Sequence, residues 1–311
     1  MISLWHNLAS AQTPDSLEIA QAESTPPSLP GPLQQVDDIV SIVATVGAIL
    51  LCAAWLKNRK DPLENSPQRP NTFTAETVGF AVVGYAISGI ILTLALGEWN
   101  AENHVSIRSQ FVGIATQLAA ILICFVLIAR QFEGGIVRFI IGTKPNVNKM
   151  ASITGLSLLL AIGCCPVILQ GTVWLVRLFA PDQDFPTHAT LDVLQKENQP
   201  FAVVVCLWLA AAVVAPVAEE TFFRGILQPV VSSLSKNRWL GLFFGAMAFG
   251  FAHSQQPHAI PALIFLGILC GIAYERTGSM LVPIAIHSLF NFKTLIWQAL
   301  STWMTTIQPA P

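Results

Sequence analysis

Val217-Ala-Glu-Glu-Thr-Phe-Phe-Arg-Gly-Ile-Leu227 places two adjacent carboxylates and a guanidinium directly after the apolar run 201–216. A charge at membrane depth costs several kcal/mol, so ionisable groups there usually face a cavity and take part in chemistry or transport. Glu220 and Arg224 are four residues apart and can pair on one helical face. Glu219 points about 100° away from Glu220. Its carboxylate can therefore face a different space, although a simple ion pair at a helix end remains the alternative.

The composition of the chain predicts an all-α, polytopic helical bundle in a membrane. Of 311 residues, 53% are hydrophobic and 11% are charged, and the mean hydropathy is +0.59. Soluble domains carry about 25% charged residues. The net charge of −2 and the lack of a long basic run argue against a nucleic-acid partner. The six cysteines all lie in apolar segments without CxxC spacing, which is typical of small packing residues.

Apolar stretches close to the roughly 20 residues that a bilayer requires predict about eight transmembrane helices. We expect a bend at Pro166 and a short interfacial piece over residues 133–141. The predicted spans are 36–56, 77–96, 111–129, 153–176, a fifth beginning at Phe201, 239–253, 261–274 and 281–300.

The order of these segments predicts three regions and an orientation. Residues 1–35 are polar and rich in proline, which indicates a flexible tail; residues 36–150 form an accessory three-helix membrane segment, and residues 151–305 form a core. Lysine and arginine are concentrated in alternate loops, beginning with the loop after the first span. Because cytoplasmic loops carry that excess, we expect both termini outside the cytoplasm.

Two later spans carry polar pairs at membrane depth. Phe249 and His253 share a face of the sixth span, and His287 and Asn291 share a face of the eighth. A lone histidine in a membrane helix is more often an interhelical hydrogen-bond former than a catalyst. Three polar sets on three nearly consecutive helices favour one shared site.

These residue types suit hydrolysis of an amide bond. That reaction needs an activated water, a base and hydrogen-bond donors aimed at the developing oxyanion. Histidine and asparagine can both donate, and the motifs contain neither Gly-x-Ser-x-Gly nor cysteine to serve as a covalent nucleophile. A proton-coupled transporter also uses buried carboxylates and histidines. That alternative, and a non-catalytic immunity or scaffold protein, stay open, although no inverted repeat supports a transporter.

The three motifs together resemble those of the CPBP family, the CAAX-protease and bacteriocin-processing proteins also called Abi, which includes the CAAX prenyl endopeptidases of eukaryotes. Glu-Glu-x-x-x-Arg, Phe-x-x-x-His and His-x-x-x-Asn are filled without departure, and the resemblance covers residues 201–292. It implies an intramembrane endopeptidase core over residues 151–305. The implied substrate is a membrane-associated protein or peptide, prenylated or bacteriocin-like, and the implied location is a bacterial cell membrane.

The resemblance also implies roles for the site residues. Glu219 would activate a water with help from His253, and Glu220 would support the site by pairing with Arg224. The remaining pair, His287 and Asn291, would hold the oxyanion.

A metal is the open alternative. Glu219, His253 and His287 could ligate zinc with a water in the fourth position. The sequence has no His-Glu-x-x-His, the compact zinc-protease signature. We therefore expect a metal-free, glutamate-type site without a cofactor.

Depth in the membrane makes a further prediction. His253 lies about 14 residues into its span, roughly 21 Å from the cytoplasmic end. Glu219 can reach that level only if the fifth span continues past Arg224, so that Pro229 marks its end or a kink. His287 lies about seven residues into its span, which predicts a shallower position and a cavity open to the cytoplasm.

Overall fold

The computed structural model describes residues 31–58, 61–67, 72–96, 107–142, 145–185, 194 and 199–307. Within these ranges the chain is helical, with short connections and no strand. The helices are α1 Gly31–Asn58, α2 Ala75–Leu96, α3 Ile107–Gln131, α4 Gly135–Ile141, α5 Val147–Phe179, α6 Phe201–Ser235, α7 Arg238–Ala252, α8 Ile260–Thr277 and α9 Leu281–Ile307.

The prediction of an all-α membrane bundle is confirmed, and each of the eight predicted spans is a helix. Five helices in the described ranges are long and apolar enough to cross a membrane, namely α2, α3, α5, α6 and α8. Helix α7 has only 15 residues, whereas α1 and α9 have 28 and 27. The segment predicted as an interfacial piece contains the short helix α4. The predicted flexible tail lies outside the described residues up to position 30, and α1 already begins at Gly31.

Helix α6 continues well past Arg224, as the depth argument predicts. It is interrupted by two π-helical turns, Ala210–Val214 and Phe223–Leu227, and ends at Ser235. Each π turn is followed by a proline in the first turn of the next α-helical stretch, Pro216 and Pro229. Pro229 therefore does not end the helix. It follows the second of two π turns, as Pro216 follows the first.

A tight turn joins α6 to α7 and brings the motif residues to one level. Lys236 adopts the left-handed conformation, and the Asn237 side chain caps α7 by accepting from two backbone N–H groups. At 1.5 Å per residue, Glu219 lies about 24 Å from the end of α6 and His253 about 22 Å from the start of α7. The two helices run antiparallel from this turn, so the two side chains lie at matching depth.

Glycines allow the core helices to approach closely. They form two GxxxG pairs, Gly241 with Gly245 on α7 and Gly267 with Gly271 on α8, a spacing that permits close helix packing. A Cβ at Gly241 would lie 1.9 Å from Ser232 Oγ and 2.6 Å from the Gln228 carbonyl oxygen. A Cβ at Gly267 would lie 3.0 Å from Ala246 Cα. Because only glycine leaves this space empty, α6, α7 and α8 pack backbone against backbone.

The amino-terminal segment shares a hydrophobic core with the carboxy-terminal one. Phe139 of α4 is 1% exposed, and its ring lies where a Cβ of Gly225 would be. Ile140 also accepts hydrogen bonds from the Met280 N–H and the Ser279 hydroxyl, immediately before α9. The segment predicted as accessory is thus packed against the helix that carries the motif glutamates.

Two polar contacts attach the first helix and its loop to the core. Lys293 on α9 pairs with Asp37 on α1 at 2.8 Å. Arg276 at the end of α8 donates to the Pro62 carbonyl at 2.8 Å. Lys293, whose place on an apolar helix the sequence leaves unexplained, therefore has a partner.

Close packing at Gly241 predicts a sharp difference between two Gly-to-Ala variants. Gly241→Ala should lower the melting temperature in detergent, because the new methyl group overlaps Ser232 and the α6 backbone. Gly79→Ala is the matched control: nothing lies within 4 Å of a Cβ there, and alanine favours the helix by about 1 kcal/mol. Equal melting temperatures for the two variants would contradict the packing of α6 on α7.

Candidate active site

Glu220 is the centre of the polar cluster and is completely buried. Its Oε1 accepts a hydrogen bond from Arg224 Nη1 at 2.9 Å and another from His287 Nδ1 at 2.9 Å. A buried carboxylate is tolerated only when such partners compensate its lost hydration. Glu220 is therefore engaged in holding α9 against α6.

Arg224 is 1% exposed and has contacts on three sides. Besides the ion pair with Glu220, its Nη2 donates to the Gly267 carbonyl at 3.3 Å. Its guanidinium carbon lies 4.5 Å from the centroid of the Phe249 ring, which is a favourable cation–π distance. A Cβ at Gly267 would lie 3.1 Å from Nη2, so the absence of a side chain on α8 makes room for the guanidinium.

Glu219 has a different environment from its neighbour. Its side chain is 23% exposed, and its Oε2 lies 4.0 Å from His287 Nε2. That oxygen is buried and has no hydrogen-bond partner. The Oε2 of Glu220 is likewise without a partner, so the two carboxylates differ in charge pairing and in exposure: Glu220 is fully buried and paired through Oε1, and Glu219 is partly exposed.

The hydrogen-bond partners of the two histidines indicate which ring nitrogen carries the hydrogen. His253 Nδ1 lies 3.0 Å from the Phe249 carbonyl; a carbonyl only accepts, so Nδ1 carries the hydrogen and Nε2 of the neutral ring can accept. His287 Nδ1 likewise faces a carboxylate. Both imidazoles make edge contacts with the Phe249 ring, at centroid distances of 5.1 and 5.4 Å. Phe249 therefore positions both histidines as well as Arg224.

Asn291 is bound to backbone. Its Nδ2 donates to the Ala211 carbonyl at 2.9 Å. An amide nitrogen carries two hydrogens, so one donor remains for another acceptor.

The structure thus brings four of the six candidates together in pairs of 4.0 Å or less: Glu219, Glu220, Arg224 and His287. The hydrogen bonds of His253 and Asn291 go instead to the carbonyls of Phe249 and Ala211. The expectation that His287 lies at a shallower level is wrong, because it contacts both glutamates. The prediction of a cavity open to the cytoplasm rested on that shallower position and is no longer supported by it.

Sequence reasoning missed the contributions of Ala211 and Gly267, which act through backbone carbonyls. A signal existed for Ala211, because Pro216 follows it by five residues and removes a backbone donor. For Gly267 the GxxxG pair indicated close helix approach but not the contact with Arg224.

The zinc alternative finds no assembled ligand set in the described part of the chain. No three His, Cys, Asp or Glu side chains there are close enough together to hold a metal ion. Of the alternative ligands, Glu219 and His287 are near each other, and both histidines use Nδ1 elsewhere. The metal-free site remains a prediction.

Comparison with known proteins gives two similarities. Residues 201–293 match the family model described as type II CAAX prenyl endopeptidase Rce1-like. An uncharacterized 24.3 kDa protein of Escherichia coli is 28% identical over 170 residues, which are 53% of this chain and 70% of that protein. No solved structure matches the chain. Residues 201–293, which contain every candidate site residue, are therefore similar to the CAAX prenyl endopeptidases, in agreement with the resemblance that the three motifs carry.

Proposed function

We propose that the chain hydrolyses a peptide bond of a membrane-associated protein or peptide with a water that Glu219 activates. The observation that carries the proposal is the contrast between the two glutamates. Glu220 is fully buried and its Oε1 is bound by Arg224 and His287, whereas Glu219 is 23% exposed and its Oε2 has no hydrogen-bond partner. The Oε2 of Glu220 also has no partner, but no part of that side chain is exposed. A general base needs such a free lone pair within hydrogen-bond reach of the proton it removes.

In the proposed reaction, Glu219 takes one proton from the water as the water oxygen attacks the carbonyl carbon of the scissile bond. His253 accepts a hydrogen bond from the same water through Nε2, the nitrogen that its tautomer leaves unprotonated. The tetrahedral intermediate then collapses, the C–N bond breaks, and Glu219 returns the proton to the leaving nitrogen. The products are a carboxylic acid and an amine, and no covalent enzyme intermediate forms.

The oxyanion of that intermediate needs donors. His287 can donate from Nε2 when both of its ring nitrogens are protonated, a form compatible with carboxylate oxygens of Glu220 and Glu219 at 2.9 and 4.0 Å. The second N–H of Asn291 is another candidate donor. Preorganised donors of this kind contribute about 3 to 4 kcal/mol each in known hydrolases.

The match of residues 201–293 to the CAAX prenyl endopeptidase model supports the proposed substrate class. A CAAX motif is a prenylated carboxy-terminal cysteine sequence, so we propose a farnesylated CAAX peptide as the first probe. A bacteriocin-like membrane peptide is the second, and the location of the protein in a bacterial cell membrane is part of the same proposal.

Removing the proposed base should abolish turnover. Glu219→Gln keeps the shape but cannot take a proton, so cleavage should fall by about 10²- to 10⁴-fold. Cells expressing the wild type or the variant would be compared by mass spectrometry of membrane-protein termini, and the purified proteins by cleavage of the farnesylated peptide. Glu133→Gln, at an exposed position, is the control and should retain wild-type activity. Unchanged cleavage by Glu219→Gln would end the enzymatic proposal, and a changed proton flux would favour a transporter.

The charge pairing predicts a stability effect that is separate from turnover. Arg224→Met leaves Glu220 buried with one partner fewer, which should destabilise the protein by about 3 to 5 kcal/mol. The melting temperature in detergent would report this, and adding Glu220→Gln should recover part of the loss. Arg138→Met, at an exposed position, should leave the melting temperature unchanged. A double variant no more stable than Arg224→Met would contradict the pairing.

A metal-free mechanism predicts that strong chelators leave the cleavage rate unchanged after dialysis. Elemental analysis of the purified active protein should then show much less than one zinc per chain. Loss of activity with a chelator, restored by added zinc, would establish the alternative ligand set.

A further inference from the structure

Helix α6 has an irregular backbone where it faces α9. The π turn Ala210–Val214 ends two residues before Pro216, just as the π turn Phe223–Leu227 ends two residues before Pro229. Single π turns inside α-helices are uncommon and often lie at functional sites. Proline supplies a physical cause, because it has no backbone N–H to donate.

The first π turn leaves one carbonyl without a backbone partner. The Ala215 N–H, which an α-helix would direct to Ala211, donates instead to Ala210. In the π pattern the donor for Ala211 would come from position 216, and that residue is proline. The Ala211 carbonyl is therefore open, and Asn291 Nδ2 donates to it at 2.9 Å.

The hydrogen bond between Asn291 and Ala211 is one of two that attach α9 to α6. His287 lies one helical turn before Asn291, and its Nδ1 contacts Glu220 at 2.9 Å. Two hydrogen bonds from one face of α9 therefore hold it to two levels of α6 and restrict its rotation. The rotation decides where His287 Nε2 points relative to Glu219.

We propose that Pro216 is a positioning residue of the site: by withholding a backbone donor it keeps the Ala211 carbonyl open for Asn291, and Asn291 in turn holds His287 against the two glutamates. The proposal rests on the proposed function for its effect on turnover, but its structural half can be tested without a substrate.

The structural test is a double-mutant cycle on stability. Asn291→Ala in the wild-type background should lower the melting temperature, because it leaves a partly buried carbonyl unpaired. In the Pro216→Ala background the restored N–H can satisfy a carbonyl of the turn, so Asn291→Ala should lower the melting temperature much less. Residues that act through one another show such non-additivity. Additive shifts within error would overturn the proposal.

The functional test separates turnover from binding. Pro216→Ala should lower kcat by about tenfold or more with little change in KM, because misplacing a catalytic group impairs chemistry. The α-hydroxy-acid analogue of alanine at position 216, which also lacks an N–H, should restore kcat. Pro166→Ala, the same change inside α5, should retain wild-type kcat. The probe is the farnesylated CAAX peptide.

The outcomes separate this inference from the proposed function. If Glu219→Gln abolishes cleavage while Pro216→Ala keeps wild-type kcat, the positioning role is wrong and the enzymatic proposal stands. If Glu219→Gln cleaves normally, the enzymatic proposal fails. The double-mutant cycle on stability then tests the link between Pro216, Ala211 and Asn291 by itself. Should Pro216→Ala fail to fold, a folded and active hydroxy-acid analogue supports the proposal. If both fail to fold, the proline ring rather than the missing donor is what matters, and the proposal is overturned.

Discussion

A carboxylate without solvent contact must be neutralised, and that requirement explains much of the geometry around Glu220. Its two partners come from different helices: Arg224 from the next turn of α6 and His287 from α9. The guanidinium needs space and acceptors of its own, which Gly267 and the face of Phe249 supply. Since an unpaired ion here would cost several kcal/mol, the helices are held in one relative arrangement.

The same arrangement explains why the motif glutamates are adjacent in sequence. Successive residues on a helix point about 100° apart, so one carboxylate can be directed into the packed interface while the next faces another space. In this chain Glu220 is fully buried and binds Arg224 and His287, whereas Glu219 is 23% exposed and its Oε2 has no hydrogen-bond partner. The contacts of Glu220 fix the backbone of α6, and Glu219 projects from the same backbone. Glu219 can therefore be placed precisely without contacts that would neutralise its own charge.

Side-chain patterns in the sequence predicted the helices and the motif residues because those depend on hydrophobicity and on i, i+4 spacing. Contacts to main-chain carbonyls were not predicted, since every residue has a carbonyl and the pattern does not show which ones are left open. Asn291 was therefore assigned to an oxyanion, although one of its donors is used on Ala211. The level of His287 was misjudged for a related reason: counting from the start of α9 assumes that all loops lie at one depth, whereas Met280 and Ser279 bond to α4.

The contact between α4 and the core bears on how the chain is divided. Phe139 fills the space beside Gly225, one residue after Arg224 and inside the second π turn of α6. A side chain larger than glycine there would displace either the phenylalanine or the helix that carries the ion pair. The first part of the chain therefore does more than accompany the motif region. Helix α4 packs against α6 at Gly225 and accepts hydrogen bonds from the residues before α9. Both helices that carry the partners of Glu220 therefore contact residues before position 150.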